Sequence, residues 1–378
     1  AGGSLSVYGT STNTGTITIN SVGGSTAGII ALEGGGPSTS TNNGTILALN
    51  GGKLAANVPL QNLGFIDVSS SGKLQLGQNM STVGGLDVSA LGELILTGSG
   101  DAAFPPHRFI PTVSPIGTLT IAIDAYQSIS LMANATTTHG LNLNSGYLNL
   151  NGNTIDLDGT ANLMVRGSGG WSGGGTVELT GSGDQTIGSE SYAAIPNLRI
   201  RKTSGQVTQV ASTLYINTGF DVISGTYLID GGSLTAYGPV TVYAPGTVSS
   251  TASSHVGFMA GVTNAGIMRI DGNYSVPGEV INNGTTYLGP SITMTTDTLT
   301  NNGSIVGVAD GGTLTLHTAF VKGDGSTFSA PQTVNFSGPT VMPAYSYHDV
   351  TINNSIALSS DASALTFGGV TIAAGFPG

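Results

Sequence analysis

A short corner motif recurs along the chain and strongly limits the folds it can adopt. Asn-Asn-Gly followed by an alternating run appears as TNNGTILAL at 41–49, INNGTTYLG at 281–289 and TNNGSIVGV at 300–308. A related copy, VTNAGIMRI, occupies 262–270. The glycines of the three later copies are Gly266, Gly284 and Gly303, which lie 18 and 19 residues apart. Glycine and asparagine supply the backbone conformations that tight corners require.

A looser series in the first half has a similar period. The segments NTGTITI, NNGTILAL, NLGFIDV and VGGLDVSA place glycines at 15, 44, 64 and 85. The steps are 29, 20 and 21 residues, so the longest step indicates a coil with an inserted loop. A period near 20 residues, made of short strands and corners, is typical of one coil of a solenoid.

A longer repeat overlies the first one. GELILTGSGD at 92–101 recurs as GTVELTGSGD at 175–184, and QTVNFSGPT at 332–340 is a more distant copy. Each copy is followed by a bounded run of strand-forming residues: GTLTIAI, NLRIRK and HDVTINN. The identical LTGSGD segments indicate a repeated structural unit.

Helical patterns are nearly absent. Runs of four to six alternating residues separate the corners, and the chain has 60 glycines but only 8% charged residues. We therefore predict an all-β, parallel β-solenoid with coils of about 18–21 residues, in which Val, Ile and Leu stack in columns and Asn amides form ladders. We expect one continuous solenoid over 1–378, with candidate loop insertions at 104–115 and 166–175. Tandem β-sandwich domains are the alternative, because they also show short, evenly spaced strands.

Charge and cysteine content restrict the function. The net charge is −11 with only nine Lys and Arg, so a basic face for nucleic acid is not expected. Without cysteine, disulfides and thiolate metal sites are excluded. We expect an exported protein whose start, AGGSLSVYG, is the end left after signal-peptide removal. No apolar run is long enough for a membrane span.

The stretch GTVELTGSGD…NLRIRK…GTYLIDGGSLTAYG, over 175–238, resembles the Gly/Thr/Asn-rich repeat regions of bacterial surface proteins. Filamentous-haemagglutinin-like and autotransporter-passenger-like regions share this order of strands and Gly corners. The resemblance implies a right-handed parallel β-helix, export, and adhesive or scaffolding work. An autotransporter barrel and a recognisable anchor are missing from the sequence, so the mode of attachment stays open.

Two acidic residues are the candidate metal ligands. Asp156 and Asp158 in NTIDLDG flank Leu157 and point to one face of a strand, which suits a Ca²⁺ ion or an acid pair. The simpler interpretation is a solvated strand edge before a turn. Asp230, Asp271, Asp310 and Asp324 lie in Asp-Gly corners, but the nine-residue period of calcium rolls is absent, which favours turn formation.

Basic and histidine residues give no assembled catalytic motif. Arg199, Arg201 and Lys202 form an Arg-Ile-Arg-Lys run that is similar to a polygalacturonase element, but the companion acidic motifs are missing. We expect an exposed basic strand face there. His107, His139, His255, His317 and His348 are far apart in the sequence and show no paired metal spacing.

Four tyrosines form the candidate interaction surface. They fall on successive strands, where outward rings on neighbouring coils would contact sugars or a partner, and packing under a loop is the alternative. They are Tyr215, Tyr227, Tyr237 and Tyr243.

Together these features predict a non-enzymatic, extracellular structural or adhesive protein of a microbial cell surface without a cofactor. Open strand edges at the ends of the stack would pair with other copies or with further coils of a longer chain, giving a filament or sheath. Cell-surface glycans are a further expected partner. The alternative is a polysaccharide-binding or polysaccharide-degrading enzyme on a β-helix scaffold, which would need clustered carboxylates or Ca²⁺. A trimeric tail-spike would need a trimerising C-terminal segment that is not evident.

Overall fold

A computed structural model describes most of the chain. The described residues are 4–20, 28–34, 39–78, 80–82, 85–89, 91–98, 108–109, 115–190, 192–290, 292–307, 311–329, 331–338, 340–354, 356–358 and 365–372. Backbone contacts divide the chain into two units, Ala1–Gly181 and Ser182–Gly378. Each unit is described by itself.

The first unit contains strands β1 to β20. Their bounds are β1 Ser4–Tyr8, β2 Thr12–Asn13, β3 Thr16–Asn20, β4 Ile29–Glu33, β5 Ser40–Asn42, β6 Thr45–Leu49, β7 Lys53–Ala56, β8 Leu60–Asn62, β9 Phe65–Asp67, β10 Lys73–Leu76, β11 Met80–Thr82, β12 Gly85–Asp87, β13 Glu93–Gly98, β14 Arg108–Phe109, β15 Ile116–Ile123, β16 Ser128–Ser130, β17 Ala135–Asn149, β18 Thr154–Leu157, β19 Asn162–Ser172 and β20 Thr176–Gly181.

The second unit contains strands β21 to β38. Their bounds are β21 Gln185–Ser189, β22 Tyr192–Ala236, β23 Val240–Val242, β24 Thr247–Ser250, β25 His255–Phe258, β26 Val262–Asn264, β27 Ile267–Ile270, β28 Asn273–Asn282, β29 Thr285–Leu288, β30 Thr293–Asn301, β31 Ser304–Gly307, β32 Thr313–Lys322, β33 Thr327–Ser329, β34 Thr333–Phe336, β35 Thr340–Met342, β36 Ser346–Ile352, β37 Ile356–Leu358 and β38 Thr366–Ile372.

The chain folds as an all-β parallel solenoid of about 15 turns. In the first coils each turn contributes one strand to each of three walls. Strands β1, β4, β7, β10 and β13 form one wall, β2, β5, β8 and β11 the second, and β3, β6, β9 and β12 the third. Every described strand pair is parallel, which excludes the antiparallel sandwiches of the alternative prediction. The right-handed winding implied by the resemblance stays a prediction.

Columns of aliphatic side chains fill each unit. In the first unit Leu54, Leu74, Leu94, Leu119, Leu141 and Leu163 occupy equivalent positions on successive coils and are buried. Burying one such side chain contributes about 2 kcal/mol, so a stack of this kind supplies most of the driving force for coiling.

The predicted Asn corners are confirmed as ladders of side-chain hydrogen bonds. Asn42 Nδ2 donates to Asn62 Oδ1 at 2.7 Å, and the Asn282 amide donates in the same way to Asn301 at 2.9 Å. The glycine after each corner packs directly on the glycine of the coil before it. A Cβ atom at Gly284, for example, would overlap the carbonyl oxygen of Gly266.

The structure corrects two details of the sequence prediction. Gly85 pairs with Phe65 in the ladder between β9 and β12, so it is not the register partner of Gly64 that the prediction made it. Residues 168–172 of the candidate insertion at 166–175 lie in β19 and pair with 145–149, so this part is coil wall and not a loop. The candidate insertion at 104–115 lies mostly outside the described residues, and the single-solenoid boundary stays a prediction.

Candidate functional site

The structure brings the two acidic candidates to one hydroxyl group. Thr180 Oγ1 donates to Asp156 Oδ1 at 2.7 Å and lies 3.3 Å from Asp158 Oδ1. Asp158 also accepts the backbone N–H of Gly159 at 2.8 Å, which closes the turn after β18. The predicted common orientation is therefore confirmed, and a local role in the turn accounts for these contacts.

A third carboxylate lies beside this pair. Glu178 is the register partner of Asp156 on the next coil, and it is largely buried. Across the residues that the structure describes, no group of three His, Asp or Glu side chains is arranged to hold a metal ion. The Ca²⁺ assignment for Asp156 and Asp158 stays a prediction.

Tyr227 is not part of an exposed surface, and the prediction for this residue is wrong. Its side chain points into the coil, fully buried, with the ring edge-on to Phe220 at 5.0 Å between centroids. The hydroxyl donates to Gln209 Oε1 at 3.0 Å, so the polar end has a partner inside the core. Burial raises the pKa of Tyr227 well above its usual value, because the charged phenolate would be desolvated.

Tyr215, Tyr237 and Tyr243 do point outward, but they do not form one platform. Tyr215 and Tyr237 stack on each other with centroids 6.1 Å apart and planes inclined by 16°. Each ring therefore covers one face of the other, while Tyr237 remains 53% exposed. Tyr243 is 45% exposed and follows β23, at the opposite end of that strand from Tyr237. The stack joins neighbouring coils, and the role of Tyr215, Tyr237 and Tyr243 as an interaction surface stays a prediction.

The three basic residues Arg199, Arg201 and Lys202 lie in three different environments. Arg201 is exposed, as predicted. Arg199 is half-exposed, and its Nε lies 3.9 Å from Asp221 Oδ2. Burial raises the pKa of Asp221, and the nearby Arg199 charge offsets part of that shift. Lys202 corrects the prediction of an exposed basic face: it is buried, and its ammonium donates to Gln185 Oε1 at 2.7 Å.

The histidines and Asp-Gly corners make local contacts. His317 Nδ1 lies 2.6 Å from Ser337 Oγ on the next coil, and His348 Nδ1 lies 3.4 Å from Asp349 Oδ2. The backbone N–H of Asp271 donates to Ser250 Oγ at 3.0 Å, as expected for a turn residue. His107 and Asp310 lie outside the described residues.

Sequence reasoning missed a cleft near the end of β32. It has a volume of about 380 Å³ and is lined by Val321, Lys322, Asp324, Val341 and Pro343 among others. The Lys322 ammonium donates to Ala344 O at 3.2 Å and lies 5.1 Å from the centre of the Tyr345 ring. The cleft opens where β35 pairs with β37 and not with β32, so the regular wall is interrupted.

An aromatic cluster packs under this cleft. Tyr345 lies 5.5 Å from Phe320 and 5.1 Å from Phe328, between ring centroids. Its hydroxyl lies 2.7 Å from Ser326 Oγ and receives the side-chain amide of Asn301 at 3.2 Å, so the asparagine ladder ends on this ring. The concentration of Phe and Tyr after position 320 was the available sequence signal.

Comparison with protein-family models, with curated proteins and with solved structures gave no match to this chain. Among the described residues there is no helix long and apolar enough to span a membrane.

Proposed function

We propose that this protein is a non-enzymatic structural or adhesive solenoid, exported to a microbial cell surface. It would work by mechanical continuity, joining other copies or further coils of a longer chain into a filament or sheath. Cell-surface glycans are the proposed external partners.

The observation that carries the proposal is the direction of the hydrogen bonds. Backbone pairs and Asn ladders both run from coil to coil within each unit, so a pulling force along the stack is shared by many bonds. The low charge of the chain also leaves few sites for proteases that cleave after Lys or Arg.

An open strand edge supports the joining of coils. Among the described strand pairings, β38 is registered against β36 alone. Its core-type side chains Val370 and Ile372 are 51% and 65% exposed. Such an edge would accept a further winding, whether from a longer chain or from a second copy.

Electron microscopy of the concentrated full chain tests this proposal. We expect end-to-end filaments. We expect Val370→Lys to shorten or abolish them, because a charge would then replace a core-type side chain that the joining coil has to cover. Thr371→Lys is the matched control, since this neighbour points outward and should leave assembly unchanged. Strictly monomeric wild-type particles at high concentration would contradict the filament.

The cleft beside β32 supports a second candidate function, polysaccharide binding or degradation. Its volume of about 380 Å³ lies in the range of small-ligand pockets, and Lys322 offers a positive charge to an acidic sugar. A panel of neutral and acidic polysaccharides, assayed with Ca²⁺, tests it. Binding that Lys322→Gln weakens and Lys53→Gln does not would support glycan binding, and new unsaturated or reducing ends would establish an enzyme.

A further inference from the structure

One wall of the second unit carries two straight columns of small hydroxyl and amide side chains. The first parts of β28, β30 and β32 lie side by side with β34 in unbroken register with steps of 20 residues, and the register shifts only after Val276 and Thr296. We call the eight outward side chains the threonine wall. They are Asn273, Thr293, Thr313 and Thr333 in one column, and Ser275, Thr295, Thr315 and Asn335 in the other.

The hydroxyl groups of the wall are available to solvent. Thr293 is exposed, and Thr295, Thr313, Thr315 and Thr333 are half-exposed between their neighbours. Within the part of the chain that the structure describes, none of these five hydroxyls makes a hydrogen bond to another residue. Each therefore keeps its donor and acceptor capacity for an external partner.

Another wall of the same unit does not share this pattern. On the wall of β24, β27, β29 and β31, one outward column reads Ser249, Arg269, Tyr287 and Val306. The Arg269 guanidinium there lies 4.3 Å from the centre of the Tyr287 ring, which makes the surface uneven and charged. Within β28, β30, β32 and β34 the two columns carry no charged side chain, and the first column continues in register to His255 on β25 and to Asp349 on β36, which bound the neutral area. A general preference of strands for Thr therefore does not explain the difference between the walls.

The spacing of the wall defines a two-dimensional lattice. Neighbouring parallel strands lie about 4.8 Å apart, and outward residues on one strand are separated by roughly 6.6 Å. Hexagonal ice has a similar rectangular lattice of water oxygens. Along one direction its repeat is slightly shorter than the spacing between neighbouring strands. At right angles its repeat is slightly longer than the spacing between outward residues on one strand. The branched Cβ of Thr restricts the side-chain rotamer, so hydroxyl and methyl positions repeat from coil to coil. Water that is held by such an array would already be ordered like an ice surface.

We propose that the threonine wall binds an ordered water layer and, through it, the surface of ice. This is a binding activity separate from assembly, and it needs only the neutral, regular array described above. Uncharged hydroxyls complement an uncharged water lattice, whereas charges would impose their own hydration geometry.

Ice-affinity partitioning of the full chain tests the proposal. Ice is grown slowly from a dilute solution, and the protein concentration is compared between the ice and the remaining liquid. We expect the wild-type protein to be enriched in the ice relative to an unrelated soluble protein of similar mass. Exclusion of the folded wild-type protein to the same extent as that reference protein would overturn the proposal.

Two double variants locate the activity on the wall. Thr295→Tyr with Thr315→Tyr places rings in the middle of the array, and we expect partitioning to fall to the level of the reference protein. Thr247→Tyr with Thr285→Tyr makes the same change at outward positions on the wall of β24 and β29 and should retain wild-type partitioning. Tyr is well tolerated in strands, and unfolding midpoints confirm that both variants fold. Equal loss in both folded variants, or full retention in the first, would overturn the assignment to this wall.

Discussion

The two asparagine ladders join successive coils at their corners by the same hydrogen bond, although the coils differ in length. In the first unit Asn13 donates to Asn42 at 2.8 Å and Asn42 donates to Asn62 at 2.7 Å, across steps of 29 and 20 residues. In the second unit the corresponding steps are only 18 and 19 residues, with donor–acceptor distances of 2.8 and 2.9 Å. The corner geometry is thus retained while the rest of the coil changes length.

The ladders differ in burial and in support. The difference in burial lies at Asn13, which is half-exposed, whereas Asn42 and Asn62 are as buried as the three asparagines of the second ladder. In the second ladder Thr286 Oγ1 also donates to Asn282 Oδ1 at 3.0 Å. A buried amide that loses its partner costs more than an exposed one, so the second ladder should be more sensitive to mutation than the Asn13 end of the first ladder.

The largest effect is expected for Asn282→Ala. This change removes the acceptor of Asn264 and Thr286 and leaves the Asn301 amide oxygen without its donor, all in the core. We expect the free energy of unfolding to fall by about 3–5 kcal/mol, measured by denaturant unfolding. Asn283→Ala removes a coil-to-coil bond at an exposed position, where Asn302 Nδ2 donates to Asn283 Oδ1 at 2.8 Å, and this control should cost less than about 1 kcal/mol because water can replace that bond. Equal losses would contradict the ladder.

Alanine substitutions at the closely packed corner glycines test whether the two units have the same corner structure. A Cβ at Gly64 would overlap the Gly44 carbonyl oxygen, and a Cβ at Gly284 would overlap that of Gly266. We expect Gly64→Ala and Gly284→Ala each to reduce the free energy of unfolding by about 2–3 kcal/mol. Gly15→Ala, where a Cβ meets no atom, should be nearly neutral. A neutral result at only one of the two corners would show that the corners differ.

Alkaline pH should act on the second unit through its buried tyrosines. Burial raises the pKa of Tyr227, and burial followed by the nearby Tyr345 raises that of Tyr347. A tyrosine in the unfolded chain ionises at about pH 10, whereas Tyr227 and Tyr347 stay protonated at that pH in the folded state. Their stability contribution is therefore complete below that pH and is lost as the pH rises above it. Tyr227→Phe should flatten this dependence, as measured by unfolding at several alkaline pH values, and an unchanged slope would contradict burial as the cause.

The smallest effect is expected for Asn13→Ala. Its side-chain amide donates to the buried Asn42, but Asn13 itself is half-exposed, so water can enter the space that the shortened side chain leaves and reach the Asn42 oxygen. We expect a loss of about 1 kcal/mol or less in the free energy of unfolding. A cost as large as that of Asn282→Ala would show that exposure does not distinguish the two ladders.

The repeated corners could be predicted because they are local and chemically distinctive. Gly266, Gly284 and Gly303 had the correct spacing, because Asn and Gly are needed at the same place in each of those coils. Gly85 was misplaced by one residue, because two adjacent glycines leave the register undefined without the pairing of Phe65.

Side-chain direction was less predictable than the corners. Tyr227 and Lys202 were expected outside but lie inside, since β22 passes through corners where simple alternation fails. Their partners, Gln209 and Gln185, are 18 and 17 residues away in sequence, so no local pattern could identify them. The cleft near Lys322 depends on a missing pairing between β32 and β35, which also has no local signature.

Proximity labelling tests the stacking of coils most directly, because the chain has no cysteine of its own. Thr293 and Thr313 are register partners on neighbouring coils, so pyrene labels on cysteines at both positions should give strong excimer fluorescence. Labels at Thr293 and Ser304 are closer in sequence but lie on strands β30 and β31 of different walls, and they should give little. Dilution with unlabelled protein distinguishes signals within one chain from those between chains. A stronger excimer signal for the second pair than for the first would contradict the coil register on which the account depends.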